Sequence, residues 1–93
     1  MTDAERWEQV KDRITSQRIS LGNFLSDVRV QWQPRTATLF FRVEKKFHKH
    51  QAEKDENKAI IEKAFFELLG ERVKVIFKTE GEDLDLVEEK ELL

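Results

Sequence analysis

The chain has no cysteine and no tyrosine, one proline and only three glycines among its 93 residues. Without cysteine, neither a disulfide framework nor a cysteine-based zinc site is possible, and a reducing, intracellular setting fits. The glycines stand at positions 22, 70 and 81. That is too dispersed for a phosphate-cradling loop or for the glycine-x-x-glycine clamp of nucleic-acid-binding KH domains. No apolar run approaches the length of a bilayer crossing and the N-terminus is polar, so neither a membrane span nor a signal peptide is expected.

Catalytic sets are missing as well. Ser16, Ser20 and Ser26 have no histidine at a recognisable spacing and no nucleophile motif around them. The two histidines, His48 and His50, would face opposite sides of a strand or diverge by about 200° on a helix. They read as solvated surface groups rather than metal ligands. No enzyme activity, no cofactor and no metal is expected.

What the chain does have is charge, unevenly placed. Residues 1–79 carry 16 Lys and Arg against 12 Asp and Glu, whereas residues 80–93 carry one lysine against seven acids. The chain therefore reads as one mildly basic domain over residues 1–79, followed by an acidic tail over 80–93. The tail has few apolar groups to offset the entropy of ordering it, and disorder is expected there.

Periodicity gives the elements. Thr2 or Asp3 suits the N-cap of a first helix, on which Trp7, Val10 and Ile14 share a face. A shorter helix from Ser20 would bury Leu21, Phe24 and Leu25, with Gly22 weakening it by roughly 1 kcal/mol relative to alanine. Residues 28–33 and 37–43 alternate as strands around a Pro34-Arg35-Thr36 turn, which makes a hairpin. The charged segment 44–55 reads as a short helix or an ordered loop, with Phe47 its one large apolar residue, expected to pack inward. Asp55 caps a long helix over 57–69 bearing Ile60, Ile61, Ala64, Phe65, Leu68 and Leu69, and Gly70 supplies its left-handed stop. Val73, Val75 and Phe77 then alternate along a last strand.

The order is α-α-β-β-(α)-α-β: an α+β domain with a three-stranded sheet and helices on one face. The expected core is Trp7, Val10, Ile14, Phe24, Leu25, Leu39, Phe41, Ile61, Phe65 and Leu68. Trp32, Phe40, Phe66 and Ile76 are the apolar residues left over once one face of each element is buried, and they are candidate docking residues. Lys45, Lys46, His48, Lys49, His50, Lys54 and Lys58 form the densest positive run. It reads either as a solvated face or as a patch for an acidic partner or a phosphate backbone.

Three stretches carry a family resemblance: a tryptophan-bearing first helix, "ISLGNFLSDVRVQW", and "TLFFRVEKKFHKHQAEKDENKAIIEKAFFELLGERVKVIF". Over about residues 5–78 the chain resembles the C-terminal domain of the bacterial DNA polymerase III gamma/tau subunit. A second family, the N-terminal domain of the bacterial replication initiator, shares the tryptophan helix, the hairpin and the "LLG-x-x-V-x-V-x-F" ending. That family, however, carries a hydrophobic, tryptophan-rich pattern where this chain has its charged 44–55 segment. The first resemblance implies a fold similar to a truncated KH domain, a bacterial cytoplasmic location, and a non-catalytic module that tethers the polymerase III catalytic subunit to the clamp loader. The second implies recruitment of a helicase.

On this reading the partner-binding residues are Trp32, Phe40 and Phe66 with Lys45, Lys46, His48 and Lys49, an apolar centre inside a charged rim. The alternative from another class is a nucleic-acid module using the basic 45–58 segment. The tail stretch Asp83-Leu84-Asp85-Leu86-Val87 resembles short clamp-binding peptides but lacks their leading glutamine and final aromatic, so a solvated tail is the better reading.

Overall fold

A computed structural model describes residues 2–80. The elements are α1 (Asp3–Gln17), α2 (Ile19–Phe24), β1 (Arg29–Gln33), β2 (Thr36–Phe41), α3 (Lys46–Glu53), α4 (Asp55–Leu69) and β3 (Lys74–Thr79), with a 3₁₀ turn at Val43–Lys45 leading into α3. The expected tail falls mostly at residues 81–93, outside the described residues.

Each terminus of α1 has a visible cause. The Thr2 hydroxyl accepts the Glu5 amide at 3.2 Å, and Asp3 and Glu5 place negative charge in the first turn, where the helix dipole favours it. Trp7, Val10 and Ile14 are buried along one stripe, and the Trp7 indole N–H donates to the Val28 carbonyl at 3.1 Å. Arg18, in an extended conformation, is the single residue between α1 and α2. The reversal is sharp, and Gly22 lies against Thr15: a Cβ built at Gly22 would sit 2.1 Å from the Thr15 hydroxyl oxygen. Glycine here is a packing requirement rather than the weakness its helix propensity suggests.

The sheet order is β1-β2-β3, with β2 antiparallel to β1 and parallel to β3. The β2–β3 connection runs through α3 and α4, as a parallel pair requires. Ala37, Leu39 and Phe41 of β2 face the helices and are buried, and their register partners Trp32, Val30 and Val75 line the same side. The opposite face carries Arg29, Gln31, Thr38, Phe40, Lys74, Ile76 and Lys78 by the same alternation.

Several expected boundaries move. β2 stops at Phe41, because the Arg42 carbonyl accepts the Lys45 amide at 2.8 Å and starts the 3₁₀ turn; Val43 is exposed as a result. α4 begins at Asp55, with Lys54 at the N-cap, so Asp55 contributes charge to the first turn instead of a cap. Gly70 closes α4 at φ 76°, with its amide on the Phe66 carbonyl at 2.8 Å. The core holds Trp7, Val10, Ile14, Leu25, Leu39, Phe41, Ile61 and Phe65, joined by Leu21, Val28, Ala37, Ala52, Ala64, Val73 and Val75. Phe24 and Leu68 are half-buried at its margin rather than inside it.

Candidate docking surface

The seven residues singled out from the sequence occupy separate places. Trp32 points inward: its ring meets Phe65 edge-on at 5.5 Å between centroids, and Phe65 in turn stacks on Trp7 at 6.1 Å. Trp32 is thus a packing residue first. Phe40 lies on the outer sheet face, half-buried beneath the Arg29 guanidinium 5.9 Å above its ring. Phe66 stands on α4, 49% exposed, beside a shallow groove of about 360 Å³ that Glu62, Lys63, Arg72 and Val73 also line.

The other four, Lys45, Lys46, His48 and Lys49, follow one another along the turn into α3, next to a residue the sequence assigned to the interior. Of them only His48 meets its ring, at 6.2 Å between centroids, while Lys49 projects from the other side of the helix. Phe47 is 64% exposed. The β2 strand ends early, the 3₁₀ turn redirects the chain, and α3 starts at Lys46 with Ala52 as its buried residue. That rotation leaves Phe47 on the outside. It is not an isolated ring. Phe24, at the end of α2, meets it near-perpendicularly at 6.2 Å, and the His48 imidazole lies 5.2 Å from Phe24. Such edge-to-face arrangements give aromatic pairs a preferred geometry beyond simple burial.

The rim is charged. Lys46 is exposed and Lys45 half-exposed. Lys49 is held by Glu53 at 2.9 Å, an i,i+4 pair along α3. At the entrance to the turn, the Arg42 guanidinium donates to the Glu44 carboxylate at 2.6 Å. The Glu44 carboxyl titrates below the ordinary glutamate value, first through its own backbone N–H and then through Arg42, which is itself raised by Glu44. Among the described residues no group of three or more His, Cys, Asp and Glu could hold a metal. What this surface offers chemically is an apolar, partly preformed aromatic centre, with Lys45 and Lys46 at the turn that precedes it.

Residues 2–91 match the family model for the C-terminal domain of DNA polymerase III subunit tau. The chain belongs to that family. Of the two replication families it resembles in sequence, this is the gamma/tau one, and the match extends beyond the 5–78 block into the acidic tail. No curated protein and no solved structure matches the chain. The tau C-terminal domain is a non-catalytic domain of the DNA replication machinery. In the described part of this tau domain, no helix is long and apolar enough to cross a membrane.

Sequence reasoning missed Phe24 and Phe47 as surface residues of this tau domain. A signal for Phe47 was present: it is the one large apolar residue in a segment of charged and polar neighbours, with no apolar residue three or four positions after it. Phe24 gave no such signal, because it shares helical spacing with the buried Leu21 and adjoins Leu25.

Proposed function

We propose that this domain tethers the polymerase III catalytic subunit to the clamp loader in the bacterial cytoplasm, by seating a segment of that subunit on the Phe24–Phe47–His48 patch. The supporting observation is Phe47, a large ring 64% exposed yet held in place by Phe24, with Lys45 and Lys46 directly before it in the chain. Interfaces concentrate their binding energy in such aromatic anchors, and a charged rim adds orientation and association rate. Membership in the tau family supplies the replication context.

The test is a titration of the isotope-labelled chain with the C-terminal region of the catalytic subunit, following backbone amide shifts. Shifts confined to α3, the 3₁₀ turn and the end of α2, abolished in Phe47→Asp, are expected. Shifts elsewhere, or unchanged binding by a folded Phe47→Asp, overturn the assignment of the surface.

One observation favours a second reading. An exposed ring among lysines can also stack on a base while the lysines hold the phosphate backbone. Single-stranded DNA binding by this patch would weaken steeply with added salt, because bound phosphates release counterions. Titration with single-stranded DNA at two salt concentrations separates the two readings.

A further inference from the structure

The sheet face opposite Ala37, Leu39 and Phe41 has a chemistry that matches the end of this same chain. Phe40 and Ile76 are its apolar residues, lying diagonal to each other because Phe40 pairs with Lys78 and Thr38 with Ile76. Both are half-buried. Around them stand Arg29, Lys74 and Lys78, all projecting to this side by the alternation of the strands. We propose that the outer sheet face is the docking site of the chain's own C-terminal segment, residues 82–93.

Three observations carry this. The first is where the chain is heading. The Glu80 amide donates to the Phe41 carbonyl at 2.7 Å, so the β2–β3 ladder continues one residue past β3. Alternation then puts the Glu80 side chain on the same side as Lys78. Its carboxylate accepts from Arg29 Nε at 3.1 Å, and the Arg29 guanidinium lies over the Phe40 ring. Glu80, the first acid after the basic domain, is thus already laid across this face.

The second is charge. The strand residues of the outer face include Arg29, Lys74 and Lys78, of which Arg29 is already engaged by Glu80 and Lys74 is exposed, whereas residues 82–93 hold six acids and one lysine. The third is pattern and reach. Leu84 and Leu86 alternate with Asp83 and Asp85, the period of an extended segment with one apolar edge. Twelve extended residues span up to about 40 Å, against about 20 Å for a six-residue strand, so the segment can reverse at Gly81 and run back past Ile76 to Lys74. Leu84 and Leu86 would meet Phe40 and Ile76, and the acids would meet Arg29, Lys74 and Lys78. This surface is separate from the Phe24–Phe47–His48 patch, so the two proposals stand or fall independently.

The absence of cysteine gives a clean test. Lys90→Cys in the full chain, carrying a nitroxide, should quench the amide signals of Gln31, Thr38 and Ile76 while sparing those around Phe47. The quenching should weaken at high salt. It should also be lost in Leu84→Ser/Leu86→Ser, a change that leaves residues 2–80 untouched. A mixture of isotope-labelled chain without nitroxide and unlabelled chain with it should show no quenching. Quenching in that mixture would make the occupant a second copy and overturn the proposal. Uniform weak quenching, or quenching centred on Phe47, would overturn it as well.

Discussion

Arg18 and Asn57, 39 residues apart in sequence, meet at 2.6 Å, the Arg18 guanidinium donating to the Asn57 side-chain oxygen. The same asparagine donates its amide to the Gln51 carbonyl at 2.7 Å. Arg18 is the single residue between α1 and α2, and Asn57 opens α4 just beyond the break from α3. One buried side chain therefore ties the two helix junctions together. Without Asn57, the part-exposed Arg18 keeps Glu56 at 3.4 Å, so the loss is mainly that of the two hydrogen bonds, each about 0.5–1.5 kcal/mol. Asn57→Ala should lower the stability of the full chain by that order in urea unfolding. Asn57→Asp keeps the acceptor for Arg18 but loses the donor to Gln51 and sets a carboxylate against a carbonyl, so it too should destabilise. An Asn57→Ala midpoint equal to that of the parent would mean the bridge contributes nothing.

Gly22 gives a prediction opposite in sign to helix propensity. Alanine is favoured over glycine in a helix interior by roughly 1 kcal/mol. Yet a Cβ at position 22 would lie 2.9 Å from the Thr15 Cβ and 3.1 Å from its Cα, neither of which can rotate away. Overpacking of this kind costs about 1–3 kcal/mol, so Gly22→Ala should lower the thermal midpoint. Thr15→Ala combined with Gly22→Ala removes the closest clash, with the hydroxyl at 2.1 Å, and should recover part of the loss. A rise in midpoint for Gly22→Ala alone would show that α2 shifts freely on α1.

These two residues also mark what could be read from sequence. Periodicity located all three strands and the stripes of α1, α2 and α4, though not that of α3, because Trp7, Val10 and Ile14 or Val73 and Val75 repeat with the period of the element that buries them. Gly70 was legible since a left-handed stop has a local cause. Asn57 was not legible in this way; its role depends on Arg18 and Gln51, brought close by folding. Phe47 was misassigned for a related reason. Which side of α3 faces inward is set by how the 3₁₀ turn leaves β2; the isolation of Phe47 among charged and polar neighbours hinted at its exposure, but the angle itself is a tertiary outcome. For Trp32, alternation left the facing side open, and the register against Ala37 puts it on the helix side while it stays half-exposed.

Trp32 and Phe47 are thereby separable by experiment. A fully buried tryptophan replaced by alanine costs about 3–5 kcal/mol, and half-buried Trp32, packed on Phe65, should approach the lower end. Trp32→Ala should therefore drop the calorimetric midpoint. Below that midpoint, where the domain is still folded, affinity for the catalytic subunit should be unchanged. Phe47→Ala should do the reverse, leaving the midpoint nearly in place and weakening binding about tenfold or more, as expected of an interface anchor. If Trp32→Ala loses binding while remaining folded, the docking surface reaches the Trp32 edge of the domain and the patch around Phe47 is not its centre.

The entrance to that patch can be read through Glu44. Its carboxyl titrates below the ordinary glutamate value because its own backbone amide and then Arg42 favour the charged form. A carboxyl whose folded value is depressed contributes stability above the unfolded glutamate value and loses it as pH falls through the folded one. The pair is solvent-exposed, so the contribution is small and screened by salt. The informative readout is thus the titration itself. Carbon-detected NMR should place the Glu44 midpoint below that of free glutamate. Arg42→Ala should raise it only part of the way, since the backbone hydrogen bond, the larger cause, remains. The same substitution should shift the amides of Lys45 and Phe47, because the Arg42–Glu44 bridge spans the start of the turn that sets the direction of α3. A Glu44 midpoint unmoved by Arg42→Ala would mean that the bridge does not form in solution and that the turn is held by its backbone bonds alone.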